Sequence, residues 1–323
     1  MIVALAGGVG GAKLAHGLYG SLRPDALSVI VNTADDFELF GLRISPDADT
    51  VMYTLGGVAN NETGWGVAGD TWQTLEMLGR YGHDSTWFRI GDRDFATHIM
   101  RTEQLRAGRS LTAATHTLAS ALGIRARLLP MSDQIVATKV DTPAGRLHFQ
   151  DYFVRRHHSD EVRGVVFDGI ESARITGEVA EAMEQASAIV FCPSNPIVSI
   201  GPILAVGGMR EAIAAARVPR IAISPIVGGK ALRGPADQML SGLGYDASAL
   251  GVARIYGDLI DGFVIDQADA GLEEQIAALG VRVLVTNTIM RDENDRRALA
   301  QNVLRFAALL SPDDATILKE LTH

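Results

Sequence analysis

With one cysteine in 323 residues, Cys192, the chain can build neither an intrachain disulfide framework nor a metal site based on several thiolates. So little cysteine use fits a reducing compartment, and cytoplasm is the expected location. Apolar residues make up 47% of the chain. Even so, no stretch approaches the roughly 18 uninterrupted apolar positions that a membrane helix needs. The N-terminal apolar run has no basic flank and is cut by glycines, so it does not read as a secretory signal. Positive charge is also scarce, with 29 Lys and Arg against 38 Asp and Glu and a net charge of −9. That balance argues against a broad nucleic-acid or anionic-membrane surface, yet allows a local basic pocket for one nucleotide. Repeats and low-complexity tracts are missing too, and the length suits a single large α/β domain spanning 1–323.

What the chain does have is concentrated in its first twenty residues, MIVALAGGVGGAKLAHGLYG. Ile2 to Leu5 has strand length. Gly7, Gly8, Gly10 and Gly11 follow, and Ala12, Leu14, Ala15 and Leu18 then repeat at helical spacing. A strand, a glycine turn and a helix open a nucleotide-binding βα unit: glycines let the backbone approach a diphosphate, and helix-start N–H groups face the anion. The pattern is not a P-loop, since no Lys-Ser or Lys-Thr pair follows. Nor is it the dinucleotide fingerprint, whose third glycine is replaced by Lys13. A tight turn that binds nothing is the plain alternative. Lys13 either adds a cation near phosphates or is a solvated surface lysine.

Leu27 to Val31 reads as the second strand, with Asp35 and Asp36 just past its end, where open α/β sheets bind ligands. Asp47 and Asp49 precede a helix-like run, Val51 to Leu55, and Asp49 could be its N-cap. These four carboxylates fall within fifteen residues near the glycine turn. Turn and cap roles are the ordinary reading. The other is a magnesium site, which needs one or two carboxylates besides phosphate oxygens and water.

Residues from about 58 to 124 read as a helical cap insertion, with helices over Thr71–Gly82, from Asp92 onward, and over Leu111–Leu122. Asp92 and Asp94 suit helix capping, Arg89 and Arg93 suit phosphate or ring contacts, and His98 reads as structural. About 125–167 reads as a β-rich insertion, with strands at Ile135–Val140, Arg146–Phe149 and Val162–Phe167 and a hairpin turn at 143–145. His148, His157 and His158 lack metal-ligand spacing and read as surface. Further on, α/β alternation resumes. Ala188–Cys192 is a strand ending in Ser194, Asn195 and Pro196, where a base or ribose could be read. Lys230 and Arg233 lie in a later glycine-rich loop and either face phosphates or are plain surface. The expected fold is α/β: a Rossmann-like, doubly wound, mainly parallel sheet with the cap and a small β-hairpin region.

Eight segments in this order, GGVGGAKL, VNTADD, ISPDADTVMYTL, GDRDFATH, LLPMSD, HFQDYF, PSNPIVSIGPIL and SPIVGGKALRGPA, together resemble the 2-phospho-L-lactate transferase family of coenzyme F-420 biosynthesis. Bacterial members act as phosphoenolpyruvate transferases. The resemblance implies transfer of a phospho-three-carbon-acid group (lactate, enolpyruvate or glycerate) from a guanosine-diphosphate-activated donor to the ribityl hydroxyl of the deazaflavin Fo, with release of GMP. It implies magnesium and a homodimer. It places deazaflavin contacts on Asp49 and Arg89, metal ligation on Asp35 and Asp49, and the diphosphate loop on Gly7 to Gly11. The guanosine side falls on Ser194 to Pro196. Asp35 and Asp49 are thus the expected catalytic residues, and Asp49→Asn is expected to keep the fold but lose most turnover. Two other functions compete: a nicotinamide-dependent oxidoreductase, which the missing third glycine disfavours, and a non-enzymatic nucleotide-sugar-binding regulatory protein.

Overall fold

The computed structural model describes residues 1–23, 25–311 and 317. From the N-terminus, β1 (Ile2–Ala6), α1 (Gly8–Tyr19) and β2 (Leu27–Val31) form the opening unit. A hairpin, β3 (Phe37–Leu39) and β4 (Leu42–Ile44), leads into α2 (Pro46–Leu55). The cap segment carries α3 (Gln73–Arg80), α4 (Asp92–Arg106) and α5 (Leu111–Ala121), and β5 (Arg127–Pro130) follows. Next come β6 (Ala137–Thr142), β7 (Gly145–His148) and β8 (Gly164–Asp168), which pair antiparallel as a three-stranded sheet. β9 (Ala188–Phe191) and β10 (Arg220–Ile223) return to the central layer. A small hairpin, β11 (Ile226–Val227) and β12 (Lys230–Ala231), precedes β13 (Gly262–Asp266), β14 (Arg282–Thr286) and the closing helix Glu293–Leu310.

The central sheet has seven strands in the order β14-β13-β10-β9-β1-β2-β5, all parallel. It is the expected doubly wound α/β sheet. β1 is buried along its whole length because helices cover both faces, which is why it reads as an unbroken apolar run. Side chains of a strand alternate between faces. Ile2, Ala4 and Ala6 therefore join the core under α1, α2 and the closing helix, with Leu14, Leu18, Val51 and Val303. Val3 and Leu5 join the opposite core, with Ile203, Met209 and Leu250. Fully burying each such Leu, Ile or Val contributes about 1.5–3 kcal/mol. Among the described residues no helix is long and apolar enough to cross a membrane.

Two details differ from the expectation. Arg127–Pro130 is an edge strand of the central sheet, so the β-rich stretch does not begin as a separate insertion. And α2 starts at Pro46, a residue preorganised for a first helical turn. Asp47 and Asp49 thus lie inside the first turn, and Ser45 occupies the N-cap position expected for Asp49. Two residues apart on a helix, they point to different sides.

Candidate functional site

The chain leaves β1 toward β2 and later returns on its other side as β9, so the sheet's switch point lies between β1 and β9. Open α/β sheets bind ligands in the crevice outside the carboxyl ends at that point. The two segments emerging there are Gly7–Gly11 and Ser194–Pro196, so the structure brings both predicted nucleotide segments together. Ser194 locks them: its hydroxyl accepts from the Gly7 N–H (3.1 Å) and donates to the Gly7 carbonyl (2.7 Å). The glycines are steric requirements. A Cβ at Gly10 would strike the Pro193 carbonyl, one at Gly11 the Ser194 hydroxyl, and Gly8 has φ +62°. Gly7 at the N-cap offers no side chain to the start of α1, the first turn carries no acidic residue, and only the Gly8 N–H is taken up, by Asp47. That leaves a helix start suited to an anion. Asn195 is turned inward instead: its Oδ1 accepts from the N–H groups of Ile197 (2.9 Å) and Val198 (3.3 Å), and so shapes the loop after β9. Pro196 is buried beside it.

Asp35, Asp36, Asp47 and Asp49 are all buried, and they divide into two groups. Asp47 lies against the glycine turn, where a Cβ on Gly7 would sit 2.5 Å from its Oδ2. Asn32 donates to that oxygen (2.9 Å) and, through the same amide, to the Val198 carbonyl (3.3 Å). Burial raises the Asp47 pKa to about 6, against the easing effect of Asn32 and the Gly8 N–H. Asp35 is raised well above its ordinary value by burial and then by the charge of Asp47. Its Oδ1 has no hydrogen-bond partner among the described residues.

The second group gathers on Arg101, which is 1% exposed and was absent from the expected site. Arg101 grips Asp49 with both terminal nitrogens, Nη1 to Oδ2 at 3.1 Å and Nη2 to Oδ1. Arg101 Nη1 also meets His98 Nδ1 (3.3 Å), and His98 Nε2 lies 3.2 Å from Asp94 Oδ1. Tyr53 donates to the same Asp94 oxygen (2.6 Å). Asp36 accepts from Ser45 (2.7 Å), with Arg43 at 3.4 Å. Burial nevertheless raises it to about 7, and its Oδ1 also has no partner. The expected pair Asp35 and Asp49 is therefore divided between the groups: Asp35 has Asp47 as its strongest acidic influence, while Asp49 is held by Arg101. The position i+9 from Asp92 gave no motif signal for Arg101; only a buried carboxylate in need of a partner identifies it.

The cap explains the GDRD segment. Asp92 accepts from the N–H groups of Gln73 (3.1 Å) and Thr74 (2.9 Å), capping α3, and the Thr71 hydroxyl first, then these bonds, lower it to about 2. Asp70 returns the favour to α4 through the N–H groups of Arg93 (2.8 Å) and Asp94 (3.1 Å). The loop between them borders a cleft of about 540 Å³ lined by Asn60, Thr63, Trp65, Trp72 and Gly91. Arg89 lies over the Trp72 ring, 4.5 Å from its centroid. Lys13 donates to the Met290 carbonyl (2.7 Å) and is partly buried. Arg233 reaches the carbonyl of Thr63 in the cap loop, while Lys230 is exposed. Cys192 is buried, which raises its thiol pKa. His157 is exposed, and His148 packs on Phe37.

A family model described as 2-phospho-L-lactate transferase CofD matches residues 2–304. A phosphoenolpyruvate transferase of Streptomyces griseus is 48% identical over 312 residues, covering 95% of this chain and 98% of that one. A 2-phospho-L-lactate transferase of Methanococcoides burtonii is 41% identical over 307 residues, 95% of this chain and 99% of its own. A crystal structure of a upf0052 family protein from Bacillus halodurans superposes with a TM-score of 0.61 at 14% identity, covering 94% of this chain and 98% of that one. That last likeness concerns the fold alone.

Proposed function

This chain belongs to the 2-phospho-L-lactate transferase family CofD, and from that premise we propose that it transfers a phospho-three-carbon-acid group, 2-phospho-L-lactate or phosphoenolpyruvate, to the ribityl hydroxyl of Fo. The donor is the acid's guanosine-diphosphate-activated form, and GMP leaves. The observation that carries this reading is the glycine turn at the sheet's switch point, locked by Ser194 and flanked by Asp35 and Asp47. In such a transfer the hydroxyl oxygen bonds to the β-phosphorus as the bond to the GMP oxygen breaks, and catalysis is chiefly positioning and charge stabilisation. Backbone N–H groups of Val9 to Gly11, in the first turn of α1, face the diphosphate.

Magnesium fits the carboxylates present. Asp35 and Asp47 are both buried, the charge of Asp47 acts on Asp35, and among the described residues Asp35 Oδ1 lacks a partner. These two would hold the ion, which when bound supplies positive charge to the diphosphate oxygens. Asp49 could join them only by giving up Arg101. On the acceptor side, Trp65 and Trp72 with Arg89 offer aromatic faces and a cation to a flat, polar ring system. The test is incubation with Fo, each of the three guanosine-activated acids and magnesium, with product masses as readout. One acid should give the corresponding F-420-0 product and GMP. Absence of product with all three, alongside NADH or UDP-sugar binding, would overturn the reading.

A further inference from the structure

Beside the glycine turn lie three cations that have no carboxylate within ion-pair distance among the described residues: Lys13, Arg233 and Arg296. Arg296 is 8% exposed, and its Nε has no hydrogen-bond partner. Its Nη2 donates to Asn61 Oδ1 at 3.1 Å in the cap loop. Arg233 donates to the carbonyls of Thr63 and Glu62 in the same loop. Gly64 is wedged between them and the turn: a Cβ there would meet the Arg233 guanidinium and lie 3.2 Å from Val9 Cγ1. Lys13 is close enough to both arginines that burial first, and then their charges, lower its pKa. The acidic residues nearby act on these cations only at a distance, Glu293 and Asp292 on Arg296 and Asp295 on Lys13, and make their close contacts elsewhere. Glu293 faces His16 (3.4 Å), Asp292 caps the closing helix, and Asp295 accepts from the Arg291 N–H (2.9 Å).

Buried charge is costly unless paired, and that cost falls on Arg296, buried without an ion pair beside half-buried Lys13, while Arg233 reaches in from the exposed side. The N-terminal end of α1 beside them adds further positive potential. We propose that Lys13, Arg233 and Arg296 form a phosphate subsite, which receives the nucleotide's α-phosphate, the group that carries the developing charge as GMP leaves. Asn61 and Thr63 tie the cap loop to the same cations, so filling the subsite also fixes that loop over the turn. The α-phosphate assignment rests on the transferase reading above; the anion site itself does not.

Calorimetric titration with GMP and, separately, inorganic pyrophosphate tests this, together with thermal melts of the ligand-free protein. Arg296→Met and Lys13→Met should each weaken both ligands roughly 10- to 100-fold, the range for a charge-assisted hydrogen bond. Arg297→Met removes an exposed charge from the same helix, and Asn61→Ala removes only the loop tether; both should stay within about twofold. Without ligand, Arg296→Met should melt no lower than the wild type, since it relieves an unpaired buried charge. Wild-type affinity in Arg296→Met, with a lowered melting point, would overturn the proposal and leave Arg296 a loop tether. Failure of the wild type to bind either ligand would overturn it as well. Pyrophosphate binding that depends on Arg296, with no GMP binding, would uphold the anion site and count against the transferase reading.

Discussion

Asp49→Asn tests the buried network most directly. Asp49 is 4% exposed and Arg101 1% exposed, and the two are joined through both guanidinium nitrogens. Removing one partner of such a pair leaves an uncompensated buried charge, which costs about 3–5 kcal/mol. The asparagine oxygen can still accept one bond, and Asp36 still acts on Arg101, so the lower end, about 3 kcal/mol, is the better figure. Set against a typical total of roughly 5–15 kcal/mol, the fold survives but is weakened. At roughly 2 °C per kcal/mol for a large domain, the melting point falls by about 6 °C. Thermal melts of Asp49→Asn, Arg101→Met and the double variant supply the cycle. The double variant should recover most of the loss, with coupling of at least about 2 kcal/mol, and turnover measured well below the melting point separates chemistry from folding. An Asp49→Asn melt within about 1 °C of wild type, or additivity in the double variant to within about 0.5 kcal/mol, would refute the idea that Asp49 holds Arg101.

The remaining predictions are smaller in scope. Asp47 moves from 3.8 to about 6 on folding, so the folded state prefers its proton. The stability this contributes is full below about pH 4 and disappears as pH rises through about 6, with Asp36 extending the decline to about 7. Magnesium should therefore raise the melting point more at pH 8 than at pH 5, and an equal shift at both would remove these carboxylates from the metal site. Gly10→Ala drives a methyl into the Pro193 carbonyl, costs about 1–3 kcal/mol and should abolish GMP binding in calorimetry. Arg89→Ala should raise the KM for Fo about 3- to 10-fold while leaving GMP affinity unchanged; a change in GMP affinity instead would move Arg89 to the donor side.

The opening βα unit and the parallel sheet were legible because their signals are local. A buried parallel strand is an apolar run, and a backbone approach needs glycine wherever it occurs. Leu27–Val31 could be read to the residue for that reason. Arg127–Pro130 could not: four residues at a sheet edge carry too little pattern to stand out from the loop around them. The acidic cluster was visible as four aspartates, but its division was not, because two helical positions that differ by about 200° look adjacent in a string.

Composition and local spacing by themselves determined a helix-covered α/β sheet with a glycine turn at its start and carboxylates close by. Tertiary structure alone decided which charges meet. Arg101 closes on Asp49 across 52 positions, Ser194 locks Gly7 across 187, and Arg296 reaches Asn61 across 235. Periodicity records which face of an element is buried; the partner a buried charge finds depends on strand order and helix packing, which no single segment encodes.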